Sequence, residues 1–292
     1  MASGFVRSGR AGARAALAAF WEDVGRCSSP FSPADAMAAA NAFGLDRLPG
    51  VQWLRSYLRS FSPYEFNPLN LNPLREVLER HVDTAALHHR DAPRLFITAT
   101  SVHTGLARVF TGHEISIDAL LASACLPHLF QAVEIDGEPY WDGGYTGNPA
   151  LYPLIYDTEA LDLLLVKINP LVRKGTPRRN DDIVDRISEI TFNASLIGEM
   201  RAIAFVSRLV REGRLDPGRY KDLRLHMIAD EAGLGALGPA SKLDASPAFL
   251  ERLFGLGRAA AERWLAGHRA DVGVRSSLDI QRTFLDRPKR GR

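Results

Sequence analysis

The stretch Y140-W-D-G-G-Y-T-G-N-P149 sets one carboxylate, Asp142, between a bulky aromatic pair and two glycines. An Asp-Gly-Gly run is common in plain turns, because aspartate bonds its own backbone and glycine gives the chain freedom. By itself it supports a turn as well as a catalytic acid at the lip of a cleft. The order of elements around it decides between the two.

Upstream, Val133-Glu134-Ile135 and Pro139-Tyr140-Trp141 flank Asp136-Gly137, a pair suited to a type I′ hairpin turn. Ser116 and Asp118 precede ALLASACLP, which reads as a short helix stopped by Pro127. Arg94 to Thr100 (RLFITAT) is a β-branched and aromatic run, and SVHTGLARVF carries a Thr-Gly turn and a second strand. Farther back, residues 62–74 (SPYEFNPLNLNPL) are proline-punctuated and extended, and Asn72-Pro73 opens a helix with Leu74, Val77, Leu78 and His81 on one face. Ala16, Leu17, Phe20, Trp21 and Val24 recur at helical spacing within residues 12–24, and 51–60 (VQWLRSYLRS) repeats that spacing. Residues 28–50 mix turn signals with an alanine-rich piece.

Downstream, LDLLLVKI (161–168) is a near-continuous apolar run, the pattern of a strand covered on both faces. Residues 171–182 form a charged loop, 195–213 a long helix, 223–229 a strand and about 247–268 the terminal helix. Strands alternating with helices favour an α/β sandwich.

Composition agrees with a folded protein of this kind. A chain of 292 residues, 46% hydrophobic, can bury a sizeable core. A net charge of +2 with interspersed signs excludes a polyanion-binding field, so no nucleic-acid partner is expected; the tail Arg287 to Arg292 is basic but short. Cys27 and Cys125 are too few for a disulfide framework, which favours a reducing, cytoplasmic setting. No window approaches a membrane span, so any membrane contact would be peripheral.

The ordered set ATSVHTG (99–105), ASACLP (122–127) and WDGG (141–144) resembles the patatin-like phospholipase family of lipid acyl hydrolases. The resemblance extends back through residues 62–78 and 9–24 and covers most of 5–230. It implies a three-layer α/β sandwich with a mostly parallel central sheet. On this reading 1–155 is the patatin-like part downstream of the nucleophile, and 156–292 holds the remaining strands and a helical C-terminal region. It implies a lipid or fatty-acyl ester substrate, no metal or cofactor, and a Ser-Asp dyad in which Asp142 is the general base and Gly143 and Gly144 shape its loop.

Departures from the family pattern are equally informative. The family's G-x-S-x-G elbow is absent: Ser8 is flanked by Val6 and Arg10, and Ser101, Ser123 and Ser195 also lack the glycine pair. The glycine-rich oxyanion loop is missing too. The expectation is a chain that starts just downstream of the nucleophile, either through a start codon placed late, the favoured explanation, or as a non-catalytic remnant that binds lipid or a protein. Missing central strands would leave unpaired edges and poor solubility.

Other candidates carry bland readings. His103, His113 and His128 lack metal-site spacing. Asp181, Asp182 and Asp185 fit a helix start, where acids complement the dipole. Arg173, Lys174, Arg178 and Arg179 form a solvated loop with a smaller claim to lipid headgroups, and Met200 and Phe205 belong to a helix core, with the lining of an acyl pocket as the alternative.

Overall fold

The computed structural model describes residues 1–27, 61–173, 175–237, 241 and 244–286. The helical pattern over 51–60, the alanine-rich piece within 28–50, Lys174 and the basic tail lie outside them. The chain divides into two compact units, one of residues 1–146 and 238–252, the other of 147–237 and 253–292.

The first unit opens with helix α1 (Ala2–Cys27), broken at Ser8 and Gly9, where φ reaches +58. After α2 (Pro63–Phe66), a single turn inside the stretch expected to be extended, α3 (Pro73–His81) begins as its sequence dictates. Asn72 accepts a hydrogen bond from the Leu74 amide, and Pro73 fills the first-turn position that needs no donor. Val77 and Leu78 are buried. Helix α3 is clamped to α1 by one buried carboxylate: Asp23 Oδ2 lies 2.6 Å from Arg80 Nη1 and 2.7 Å from His81 Nε2. A short α4 (Thr84–Leu87) leads to the sheet.

Strands β1 (Phe96–Ser101), β2 (Ala107–Thr111), β3 (Val133–Ile135) and β4 (Glu138–Asp142) form one antiparallel sheet in the order β2-β1-β4-β3. Asp136 and Gly137 both adopt positive φ, +54 and +80, as a type I′ turn demands. Helix α5 (Ile117–Ser123), capped by Ser116 Oγ accepting from the Ala119 amide, packs Ala119 and Ala122 on Ala99, Phe110 and Tyr140. Small alanines let helix and sheet approach closely, and Phe110 meets Tyr140 edge-to-face at 5.5 Å. The register opposes Ala99 to Asp142 and Ser101 to Tyr140, so β1 sits in the middle of the sheet beside the Asp-Gly-Gly turn.

The second unit contains α6 (Tyr152–Tyr156), β5 (Asp162–Lys167), α7 (Asn180–Arg211), β6 (Arg224–Ala229), α8 (Glu231–Gly235) and the part of α9 (Pro247–His268) from residue 253 onward. Strands β5 and β6 pair in parallel, with Leu163 against Leu225 and Leu165 against Met227. Leu196, Met200 and Ile203 of α7 pack on Leu163, Leu165, Leu223 and Leu225. Each such side chain is worth about 2 kcal/mol as an upper estimate.

This unit corrects two expectations. Strand β5 is covered on one face only: Leu163, Leu165 and Lys167 are buried, while Leu164 and Val166 are 49% and 65% exposed. Its apolar run is continuous although its burial alternates. Helix α7 begins at Asn180 and absorbs the acidic cluster and the 195–213 helix into one element. Asp182 and Asp185 fall in its first two turns, where they complement the dipole.

The α/β class holds. Among the described residues, parallel pairing is confined to β5 and β6, while β1–β2 and β3–β4 are hairpins and β1 pairs antiparallel with β4.

Candidate active site

Asp142 is the last residue of β4 and the first of a 3-10 turn over 143–145. Its position is held from three sides. Its amide donates to the Cys125 carbonyl at 2.8 Å, which ties the turn to the end of the ASACLP segment. Its carbonyl accepts from Thr100 Oγ1 at 2.8 Å, and the same hydroxyl lies 2.9 Å from Thr146 Oγ1. Its carboxylate Oδ1 accepts from the Gly144 amide at 2.6 Å. Among the described residues, Oδ2 has no hydrogen-bond partner.

Gly143 shows why the motif carries glycine. A Cβ placed there would stand 2.0 Å from the Thr98 carbonyl oxygen and 2.5 Å from its carbon. The turn presses backbone against backbone on β1, and only a residue without a side chain fits. Gly144 is buried and supplies the amide that orients the carboxylate.

Burial pushes the Asp142 carboxyl above its ordinary value, and the Gly144 amide partly opposes this by favouring the charged form. The groups electrostatically coupled to it are Cys125, whose buried thiol is pushed up to about 11, and Tyr145, also raised by burial first and by Asp142 second. The sequence reading named neither as a neighbour of the carboxylate; Cys125 comes beside it through the bond between the Asp142 amide and the Cys125 carbonyl. The arrangement can take a proton from a hydroxyl brought against Oδ2, in a setting dry enough to strengthen the bond.

The remaining candidates disperse. His103 Nδ1 pairs with Glu138 at 2.8 Å, and the His113 ring meets that of His88 at a tilt, with centroids 5.1 Å apart. Among the described residues, no three His, Cys, Asp or Glu side chains are grouped to hold a metal ion. Arg173 is taken out of the basic loop by Glu189, itself 1% exposed, through bonds of 2.6 to 2.9 Å. Arg178 and Arg179 are exposed. Met200 is buried as expected, whereas Phe205 is 52% exposed with the Arg208 guanidinium 5.4 Å above its ring. Cys27 is exposed and Cys125 buried. Among the described residues, no helix is long and apolar enough to cross a membrane.

No curated protein matches the chain. The family model for patatin-like phospholipases matches residues 8–155, a span holding α1, the whole antiparallel sheet, the Asp142 turn and α6. With just over half of its length so matched, the chain belongs to the patatin-like phospholipase family, whose substrates are lipids.

Proposed function

We propose that the protein hydrolyses acyl esters of lipids with Asp142 as general base and Gly143 and Gly144 as the residues that shape its loop. The observation that carries the reading is the carboxylate itself: half-buried, raised by desolvation, oriented through Oδ1 by Gly144 and open at Oδ2. A serine hydroxyl against Oδ2 would lose its proton to Asp142 as its oxygen attacks the ester carbonyl. The proton then passes to the departing alcohol, and water repeats the sequence on the acyl-enzyme.

That serine lies outside this sequence, which holds no G-x-S-x-G. We place it in an upstream segment that also supplies the oxyanion loop and the central strands of a three-layer sandwich with a mostly parallel sheet. The half-uncovered β5 supports this arrangement, because apolar side chains such as Leu164 and Val166 need a neighbouring layer. Contact with the lipid surface is peripheral, and the protein works in the cytoplasm.

The experiment is to translate the genomic frame upstream of Met1 and express the longer product. A G-x-S-x-G in frame, with turnover of a short p-nitrophenyl ester by that product, supports the proposal. An in-frame stop immediately upstream sinks it and leaves the non-catalytic, lipid- or protein-binding reading.

A further inference from the structure

The second unit contains a hydrogen-bonded Ser-His-Asp series that has no part in the Asp142 reading. Ser277 Oγ lies 2.9 Å from His226 Nδ1, and His226 Nε2 lies 3.1 Å from Asp162 Oδ1. Both distances fall within the reach that a nucleophile, its base and the group orienting the base require. His226 sits on β6 and is 1% exposed, whereas Ser277 is partly open to solvent. Asp162, at the start of β5, is fixed by the Gly273 amide at 2.9 Å and by Arg224 Nη2 at 2.7 Å. These bonds, the Arg224 pair first, hold its carboxyl well below the ordinary range, so it is ionised at neutral pH. An ionised Asp162 on Nε2–H leaves Nδ1 as the acceptor facing the Ser277 hydroxyl.

Two further observations point to a ligand. His226 is the polar residue in the wall of an otherwise apolar cavity of about 250 Å³, lined along β5 and by Leu151, Leu154, Met200 and Leu225. The Trp264 ring packs edge-on to His226 at 5.8 Å. Among the described residues, Trp264 Nε1 is the buried side-chain polar atom without a hydrogen-bond partner. A buried N–H left unpaired is costly, and the carbonyl oxygen of a bound ester is an acceptor that satisfies it.

We infer that Ser277, activated by His226 and positioned through Asp162, is a second nucleophile of this protein, taking carboxylic esters. Ser277 Oγ bonds to the ester carbonyl carbon as its proton moves to His226 Nδ1. The carbon–alkoxy bond then breaks, and the same proton leaves with the alcohol. Water repeats the cycle, its proton passing through His226 to Ser277 as the acid departs.

The test uses the 292-residue chain and a fluorophosphonate carrying a short alkyl chain, which loses fluoride as Ser277 Oγ bonds to phosphorus. Peptide mapping should place the adduct on Ser277 in the folded protein and find none after unfolding in urea. Ser277→Ala should abolish labelling with an unchanged melting transition, while Cys27→Ser, in the other unit, should label like the parent; the position of the adduct at Ser277 reads this site separately from the Asp142 site. The titratable and charged groups around His226 are Asp162 from β5, Arg224 on its own strand, and His268, whose ring is 6.4 Å from Trp264 on α9. Asp162→Asn should slow labelling at least about tenfold, because the imidazole loses the group that orients it. Absence of a Ser277 adduct in the folded protein, equal labelling after unfolding, or an unchanged labelling rate in Asp162→Asn would overturn the inference.

Discussion

Replacing Gly143 with alanine asks the turn to accept a Cβ 2.0 Å from the Thr98 carbonyl oxygen and 2.5 Å from its carbon. Non-bonded carbons settle near 3.5–4.0 Å, so the turn and β1 must separate by roughly 1 Å or more. Both sides of the contact are backbone, and no rotamer change can relieve it. Overpacking of this kind costs about 1–3 kcal/mol, and backbone against backbone belongs at the upper end. The alanine recovers about 0.4–1 kcal/mol by restricting the unfolded chain, which leaves a net loss of about 2 kcal/mol. For a unit of this size that corresponds to a melting temperature lower by about 4–8 °C in a circular-dichroism scan. Gly198 in α7 is the matched control, since its Cβ would meet nothing within 4 Å. Gly198→Ala should raise stability by up to about 1 kcal/mol, because glycine is costly in a helix interior. A Gly143→Ala protein melting within about 1 °C of the parent would refute the close approach, which is the reason offered here for glycine after Asp142.

Three other outcomes are expected. Native protein at pH 8 should react with Ellman's reagent at one thiol, the exposed Cys27, and at two after unfolding, since Cys125 is buried and its thiol pushed up to about 11. Asp23 is held below its ordinary value of 3.8 by His81 first and then Arg80, so its stabilisation is complete above that value and is lost as pH falls through the lower folded one. Urea midpoints should therefore drop as pH falls below about 4, and Asp23→Asn should flatten that limb while lowering the plateau. Ile168→Lys, just past the end of β5 and 70% exposed, should raise soluble yield with little change in melting temperature, because it removes an exposed apolar side chain.

Local chemistry made much of the fold legible. The Asp136-Gly137 turn, the Asn72-Pro73 helix start, β1 and the terminal helix Pro247–His268 are each written in neighbouring residues, and each is found as read. What failed depended on distant neighbours. An apolar run cannot say whether a second layer covers it, so β5 read as two-sided. The first half of α7 hides behind polar residues, and two of these, Glu189 and Asn193, are buried through Arg173 and the Pro170 carbonyl. The same limit applies at the site. Asp142 and its glycines were visible as a motif, whereas Cys125, Tyr145 and the Thr98 contact exist only once β1, β4 and the 122–127 segment are brought together. The Ser277-His226-Asp162 series spans more than a hundred residues and leaves no local pattern.

The most direct measurement compares ester hydrolysis by the upstream-extended protein with that of its Asp142→Asn variant. Loss of a positioned general base predicts a fall in kcat of at least about 10²-fold, with the melting transition retained because asparagine keeps the bond from the Gly144 amide. The parent's rate should rise with pH through a midpoint above the ordinary carboxylate value, since the base must be ionised and burial has raised it. An Asp142→Asn protein that turns over ester at the parent's rate would contradict the assignment of Asp142 as the base.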